Sequence, residues 1–104
     1  MANPQRGEID AEIGGETMTL CLTLGALAEL EARLQAGDLN GLVERFAEGR
    51  ISARDLTAIL GAGLRGAGNP VTDDDLARLS IEGGLRGAAD IVVRLLKATF
   101  GEAQ

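Results

Sequence analysis

Histidine, tryptophan and tyrosine are absent from this chain, and cysteine occurs once, at Cys21. Chemistry near neutral pH leans on histidine, on metal clusters, or on a nucleophile with a base beside it. No histidine exists to activate Cys21 and no lysine lies near it in sequence. A small residue on the outer face of a strand is therefore its expected role. A single cysteine forms no internal disulfide, which fits a reducing compartment. Basic runs are missing as well: ten Lys and Arg are scattered among sixteen Asp and Glu, for a net charge of −6. Affinity for a phosphate backbone comes from basic side chains displacing counterions, so this composition argues against a nucleic-acid partner. No apolar stretch opens the chain, so no signal peptide is expected. The longest apolar segment, Ile91 to Leu96, is broken by Arg94 and is too short for a bilayer. These absences predict a cytoplasmic, non-enzymatic protein with no cofactor, no metal, and neither membrane nor nucleic acid as partner.

What remains is aliphatic and acidic. Apolar residues make up 45% of the 104, and Phe46 and Phe100 are the only aromatics. A chain of this length makes one domain with a small core. Residues 1–7 read as a flexible leader, 8–101 as the domain and 102–104 as a frayed tail.

Hydrophobic periodicity divides the domain. Ile9, Ala11 and Ile13 alternate with Glu8, Asp10 and Glu12, and Met18, Leu20 and Leu22 alternate with Thr17, Thr19 and Cys21. Gly14 and Gly15 between them suit a two-residue turn. That loop pairs Ile13 with Glu16, Ala11 with Met18 and Ile9 with Leu20, which puts both apolar sets on one face. A hairpin this small must rest on helices. After Thr23, a plausible N-cap, the period becomes 3.6: Leu24, Leu27, Leu30 and Leu34 form a stripe that stops near Gly37. Asp38 opens a short helix with Leu39, Leu42, Val43 and Phe46 on one side. Ser52 with Asp55, and Thr72 with Asp75, each read as a capping box, with Ile51 and Leu56, or Val71 and Leu76, placed as a staple. The first of these helices runs through Leu56, Ile59, Leu60 and Leu64; Asn69 and Pro70 break the chain after it. The next carries Leu76, Leu79 and Ile81 and ends at Gly83 and Gly84. A last helix presents Leu85, Ala88, Val92, Leu95, Leu96 and Phe100, its apolar arc widened by Ile91 and Val93. The fold expected is α+β, mostly α: an N-terminal hairpin at about 8–22 packed on about five short helices.

Three patterns invite a chemical reading and fail it on context. Gly61, Gly63 and Gly66 match the spacing of a dinucleotide fingerprint, but they follow a helical stripe instead of opening one, so helix termination is expected. Asp73, Asp74 and Asp75 are consecutive, whereas calcium loops need alternating oxygens; acids in a first helical turn complement its free amides. Arg45, Arg50 and Arg54 lie among Glu44, Glu48 and Asp55, which gives a mixed solvated surface. The pentapeptide Gly-Leu-Arg-Gly-Ala occurs at 63–67 and again at 84–88 with different flanks, and two copies do not make a repeat fold.

Several stretches taken together carry a family resemblance. They are Arg6-Gly7-Glu8, the run from Leu20 to Glu31, Arg45-Phe46-Ala47 with Gly49, Ser52 to Leu56, Gly63 to Gly66, Asn69-Pro70-Val71, and the closing Ala98-Thr99-Phe100-Gly101. In this order and spacing the chain resembles the small protein encoded in the tail-gene block of alphaproteobacterial gene transfer agents, which are phage-like particles. That family is similar to phage tail assembly chaperones and is also described as a tail tube component. The resemblance implies no catalytic residues. One hairpin and about five helices offer little sheet to line a tube. Amphipathic helices suit a helix-in-groove contact with a long helical tape measure protein. The function expected from the sequence is therefore a tail assembly chaperone that binds the tape measure protein. A structural component of the tail is the alternative, and a small acidic regulatory interaction module is the second alternative. Partners would be the tape measure protein or other tail proteins, with self-association as a further option. Ile91, Val93, Leu96 and Phe100 on the last helix, together with the hairpin edge, are the expected contact residues; the competing role for those side chains is to fill the core.

Overall fold

The computed structural model describes residues 7–34, 52–79, 81 and 83–100. The expected helix on Leu39, Leu42, Val43 and Phe46, the stop at Gly37 and the staple residue Ile51 lie outside the described residues. The class is α+β, mostly α, as the sequence predicts.

Strands β1 (Glu8–Ile13) and β2 (Glu16–Cys21) form an antiparallel hairpin. Gly14 and Gly15 have φ of 65° and 83°, the left-handed pair that a type I′ turn requires. Because the loop has two residues, the register follows: Ile13 faces Glu16, Ala11 faces Met18 and Ile9 faces Leu20. Side chains alternate across a strand, so Ile9, Ala11, Ile13 and Leu20 all turn inward and are buried. The outer face carries carboxylates opposite hydroxyls, and Thr17 donates to Glu12 and Thr19 to Asp10.

Four helices follow among the described residues: α1 (Leu24–Leu34), α2 (Ala53–Gly66), α3 (Asp73–Ala77) and α4 (Gly84–Phe100). Thr23 caps α1, its hydroxyl accepting from the Ala26 amide at 3.1 Å. Both predicted capping boxes are closed. The Ser52 hydroxyl accepts from the Asp55 amide while Asp55 accepts from the Ser52 amide at 3.4 Å. Thr72 and Asp75 do the same, with the return bond at 3.1 Å. Aspartate is short for this role, yet it reaches in both helices. The backbone amide and hydroxyl of Thr72 hold the Asp75 carboxyl below its ordinary value of 3.8.

Helix α2 is the centre of the fold. Leu56, Ala58, Ile59, Leu60, Ala62 and Leu64 are buried, because α1, α3, α4 and β2 all pack around it. Two residues apart on a helix are about 200° apart around its axis. Gly63 accordingly faces Leu95 of α4 and Leu20 of β2, while Arg65 faces α1 and meets Glu29 at 2.6 Å. The Arg65 guanidinium also donates to the Val71 carbonyl. This ion pair is about one-third exposed, so it is worth no more than about 1 kcal/mol. Each buried leucine is worth about 1.5–3 kcal/mol, so apolar packing holds the layer and the ion pair orients it.

Three expectations are corrected. The α1 stripe is rotated: Ala26 and Leu30 are buried and Leu27 is half-buried, while Leu24 is 86% exposed. As the first residue of its helix, Leu24 has no preceding turn to lie over. Gly61 and Gly63 do not end a helix, since α2 runs on to Gly66. The helix ends at Gly66, as the spacing suggests, and Gly63 and Gly66 serve packing. A Cβ on Gly63 would stand 2.8 Å from Leu95 Cδ2, and one on Gly66 would stand 2.1 Å from the Cys21 carbonyl oxygen. Helix α3 stops at Ala77, before Leu79 and Ile81. Ile81 leaves the helix to form a bridge with Ile13, and Leu79 lies over Gly14 at the hairpin tip.

Two predictions follow from this packing and capping. Gly66→Ala forces backbone away from backbone and should destabilise the fold by about 2 kcal/mol or more. Gly25→Ala meets only Thr23 Oγ1 at 3.8 Å; in a helix it should stabilise by about 0.5 kcal/mol. Urea midpoints of the two variants measure both signs. The second prediction concerns pH. Because Asp75 has a depressed folded-state pKa, its contribution is complete above 3.8 and is lost as pH falls through the folded value. Asp75→Asn should be less stable than the parent near neutrality, and the gap should close as denaturation curves are recorded at pH values below 3.8.

Candidate functional site

The last helix separates the expected contact residues into two pairs. Ile91 and Leu96 are each 6% exposed and lie within the core with Ala88, Val92 and Leu95. Val93 is half-buried and Phe100 is 45% exposed. Only the second pair is therefore within reach of another molecule on the surface as it stands. Arg86, Asp90, Arg94 and Lys97 occupy the polar side of the helix.

A groove of about 250 Å³ lies where α2, α3 and α4 meet. Leu56 and Leu60 line it from α2, Leu76 from α3, and Leu85 from α4, with Leu79 and Ile81 at the hairpin end. Leu85 is 64% exposed, and so is both a wall of the groove and a surface side chain. Leu24, Leu85 and Phe100 are the large exposed apolar side chains among the described residues. Sequence reasoning missed Leu24 and Leu85 as surface features. A usable signal existed for both, since each stands at or next to the first position of its helix, where a side chain has least helix to fold back on.

The hairpin edges are occupied. On the β2 side, the Asn69 amide donates to the Thr19 carbonyl at 2.9 Å and to the Leu64 carbonyl at 3.2 Å. Gly66 abuts the Cys21 carbonyl on the same strand. On the β1 side, Arg94 donates to the Asp10 carbonyl and Ile81 bridges Ile13. An open edge presents unpaired amides and carbonyls to any passing strand; here side chains and neighbouring backbone have taken several of those positions. Beyond the edges, the hairpin's surface is acidic: Glu8, Asp10, Glu12 and Glu16 stand in the two strands with no basic residue between them.

Arg45, Arg50, Glu44 and Glu48 lie outside the described residues, and the described residues that invited chemistry have structural places. Ser52, Thr72, Asp55 and Asp75 are engaged in caps. Cys21 is half-buried at the end of β2. Among the described residues no polar or charged side chain is buried, and no group of His, Cys, Asp or Glu is arranged to hold a metal ion. No helix among them is long and apolar enough to cross a membrane. What the geometry offers is an apolar groove, exposed aliphatic side chains on two helices and an acidic hairpin, which is equipment for contact with another polypeptide.

Comparison with known proteins supplies the setting for such contacts. No curated protein and no solved structure matches the chain. The family described as phage tail tube protein, GTA-gp10, matches residues 6–102. With nearly the whole length covered, the chain belongs to that family, which sets it among the tail proteins of phage-like gene transfer agents.

Proposed function

We propose that this chain is a structural, non-enzymatic subunit of a phage-like tail, built into the particle through contacts with other tail proteins and with further copies of itself. The observation that carries this reading is the match of residues 6–102 to a family described as a tail tube protein. That description favours the alternative named from the sequence over the chaperone role. The surface supports it too. Leu24, Leu85 and Phe100 remain exposed on a small acidic domain, and Leu85 is also a wall of the apolar groove; exposed apolar side chains of this kind mark protein contacts.

An assembly chaperone for a helical tape measure protein is the second reading. The groove between α2, α3 and α4 favours it, because an amphipathic helix docks by laying an apolar stripe into such a depression.

One comparison separates the two. Mass spectrometry of purified particles should find the chain in many copies, in fixed ratio to other tail proteins. Its absence from particles, together with recovery of the tape measure protein in a pull-down from producing cells, would replace the structural reading with the chaperone.

A further inference from the structure

The stretch between α2 and α4 is fastened at its start and turns sharply at its end. The Asn69 side-chain amide pegs the start, donating to the Thr19 and Leu64 carbonyls. Gly83 and Gly84 close it, consecutive residues with φ of 87° and 63°. Glycine takes that left-handed conformation without steric cost and can leave it as readily. Between the peg and the glycines lies α3, five residues long, which packs on α2 and stands off α4 across the groove. Leu76 is the one fully buried side chain among the described residues of this stretch; Val71, Leu79 and Ile81 are half-buried. Helix α2, by contrast, buries Leu56, Ala58, Ile59, Leu60, Ala62 and Leu64. Beyond the peg, the Arg65 guanidinium donates to the Val71 carbonyl at 3.1 Å, and Ile81 forms an isolated bridge with Ile13. A second nitrogen of the same guanidinium meets Glu29 of α1 at 2.6 Å, which holds the fork in place for Val71.

We propose that residues 70–79 with Ile81 form a strap that opens as one unit from an otherwise intact fold, with Arg65 as its latch, and that opening widens the groove onto Leu56, Leu60 and Ala88. All three line the groove, yet at 3%, 2% and 6% exposure they are covered while the strap is down. Segments with few buried apolar contacts open first, at a lower free energy than the whole fold. One buried leucine and three half-buried side chains are little to lose beside the core of α2. The ends set the motion. Asn69 is fastened to β2, so the swing is taken up at Gly83 and Gly84, since a few residues at the end of an element absorb the dihedral change of a hinge. The strap stands apart from the two readings above: a structural subunit and a chaperone would each carry it. It decides how much of the apolar face of α2 a single chain presents.

Hydrogen exchange of the full chain, followed residue by residue by NMR, tests the strap. The Leu76 and Leu79 amides are bonded to the Thr72 and Leu76 carbonyls at 3.0 Å each, so both report on it. They should exchange with one shared opening constant, about tenfold or more above that of the Leu60 and Leu64 amides in α2. Low urea should accelerate the α2 pair more steeply, because their exchange needs the larger unfolding. Arg65→Lys keeps the charge but lacks the fork that reaches both partners. It should raise the shared constant of Leu76 and Leu79 by about tenfold and that of α2 by less. A thiol placed by Ala88→Cys in a Cys21→Ser background should be alkylated by iodoacetamide at a rate that rises with Arg65→Lys by the same factor as the strap amides. Four results overturn the proposal. Leu76 and Leu79 could exchange only as fast as α2, or each with a constant of its own. Arg65→Lys could move strap and α2 amides by one common factor, or leave alkylation of the introduced thiol unchanged.

Discussion

The close approach of α2 to β2 is the constraint on which the rest of the structure depends. A two-stranded hairpin has too little surface to be stable in water and needs a helical face brought against it. At Gly66 the helix touches the Cys21 carbonyl, and one turn earlier Gly63 leaves room for Leu20 and Leu95 to meet over it. With glycine at both positions, Leu20, Leu64 and Leu95 become fully buried. Asn69 then fastens the same junction from beyond the helix end, its single amide joining the Thr19 and Leu64 carbonyls. Glycine within a helix costs about 1 kcal/mol relative to alanine. Here that cost is offset by the burial of several aliphatic side chains at about 1.5–3 kcal/mol each.

Features that depend on near neighbours in the chain could be read from the residues in advance. The hairpin register needed only an alternating pattern and a two-residue glycine turn. Both capping boxes needed a hydroxyl and an acid three positions on. Features that depend on distant partners could not. Gly61, Gly63 and Gly66 look like a helix stop, and the helix does end at Gly66; the role of Gly63 and Gly66 as a contact face appears only when β2 is laid across them. Leu79 and Ile81 continue a helical stripe on paper, yet Ile81 pairs with Ile13, 68 positions earlier in the numbering of the bridge. Tertiary pairing of that kind overrides local propensity.

The surface was harder to read than the core, for a related reason. Periodicity says which face of a helix is apolar, and that face is usually buried, so it identifies the interior. It does not say where an apolar face overruns its neighbours. The repeated pentapeptide makes the point: Leu64 is fully buried near the end of α2, whereas Leu85, in the same five-residue context, is exposed at the start of α4. Identical local sequence gives opposite environments because α2 is surrounded and the first turn of α4 is not. On the last helix the same limit split the expected contact residues, with Ile91 and Leu96 taken into the core and Val93 and Phe100 left within reach.

The contrast between partly occupied strand edges and open helix flanks bears on which surfaces of the domain are left for contact. Pairing through an exposed strand edge uses backbone groups common to every protein, so it discriminates poorly and invites aggregation. Pairing through side chains depends on a few leucines and on the sign of the charges around them, and can reject partners that lack either. In this chain the amide of Asn69 and the guanidinium of Arg94 lie on backbone carbonyls at the two hairpin edges, and the two strands carry Glu8, Asp10, Glu12 and Glu16 with no basic residue. Leu24 and Leu85 are left to the surface on separate flanks. Backbone pairing at the two edges is thereby made harder, while the apolar side chains on the helix flanks stay accessible.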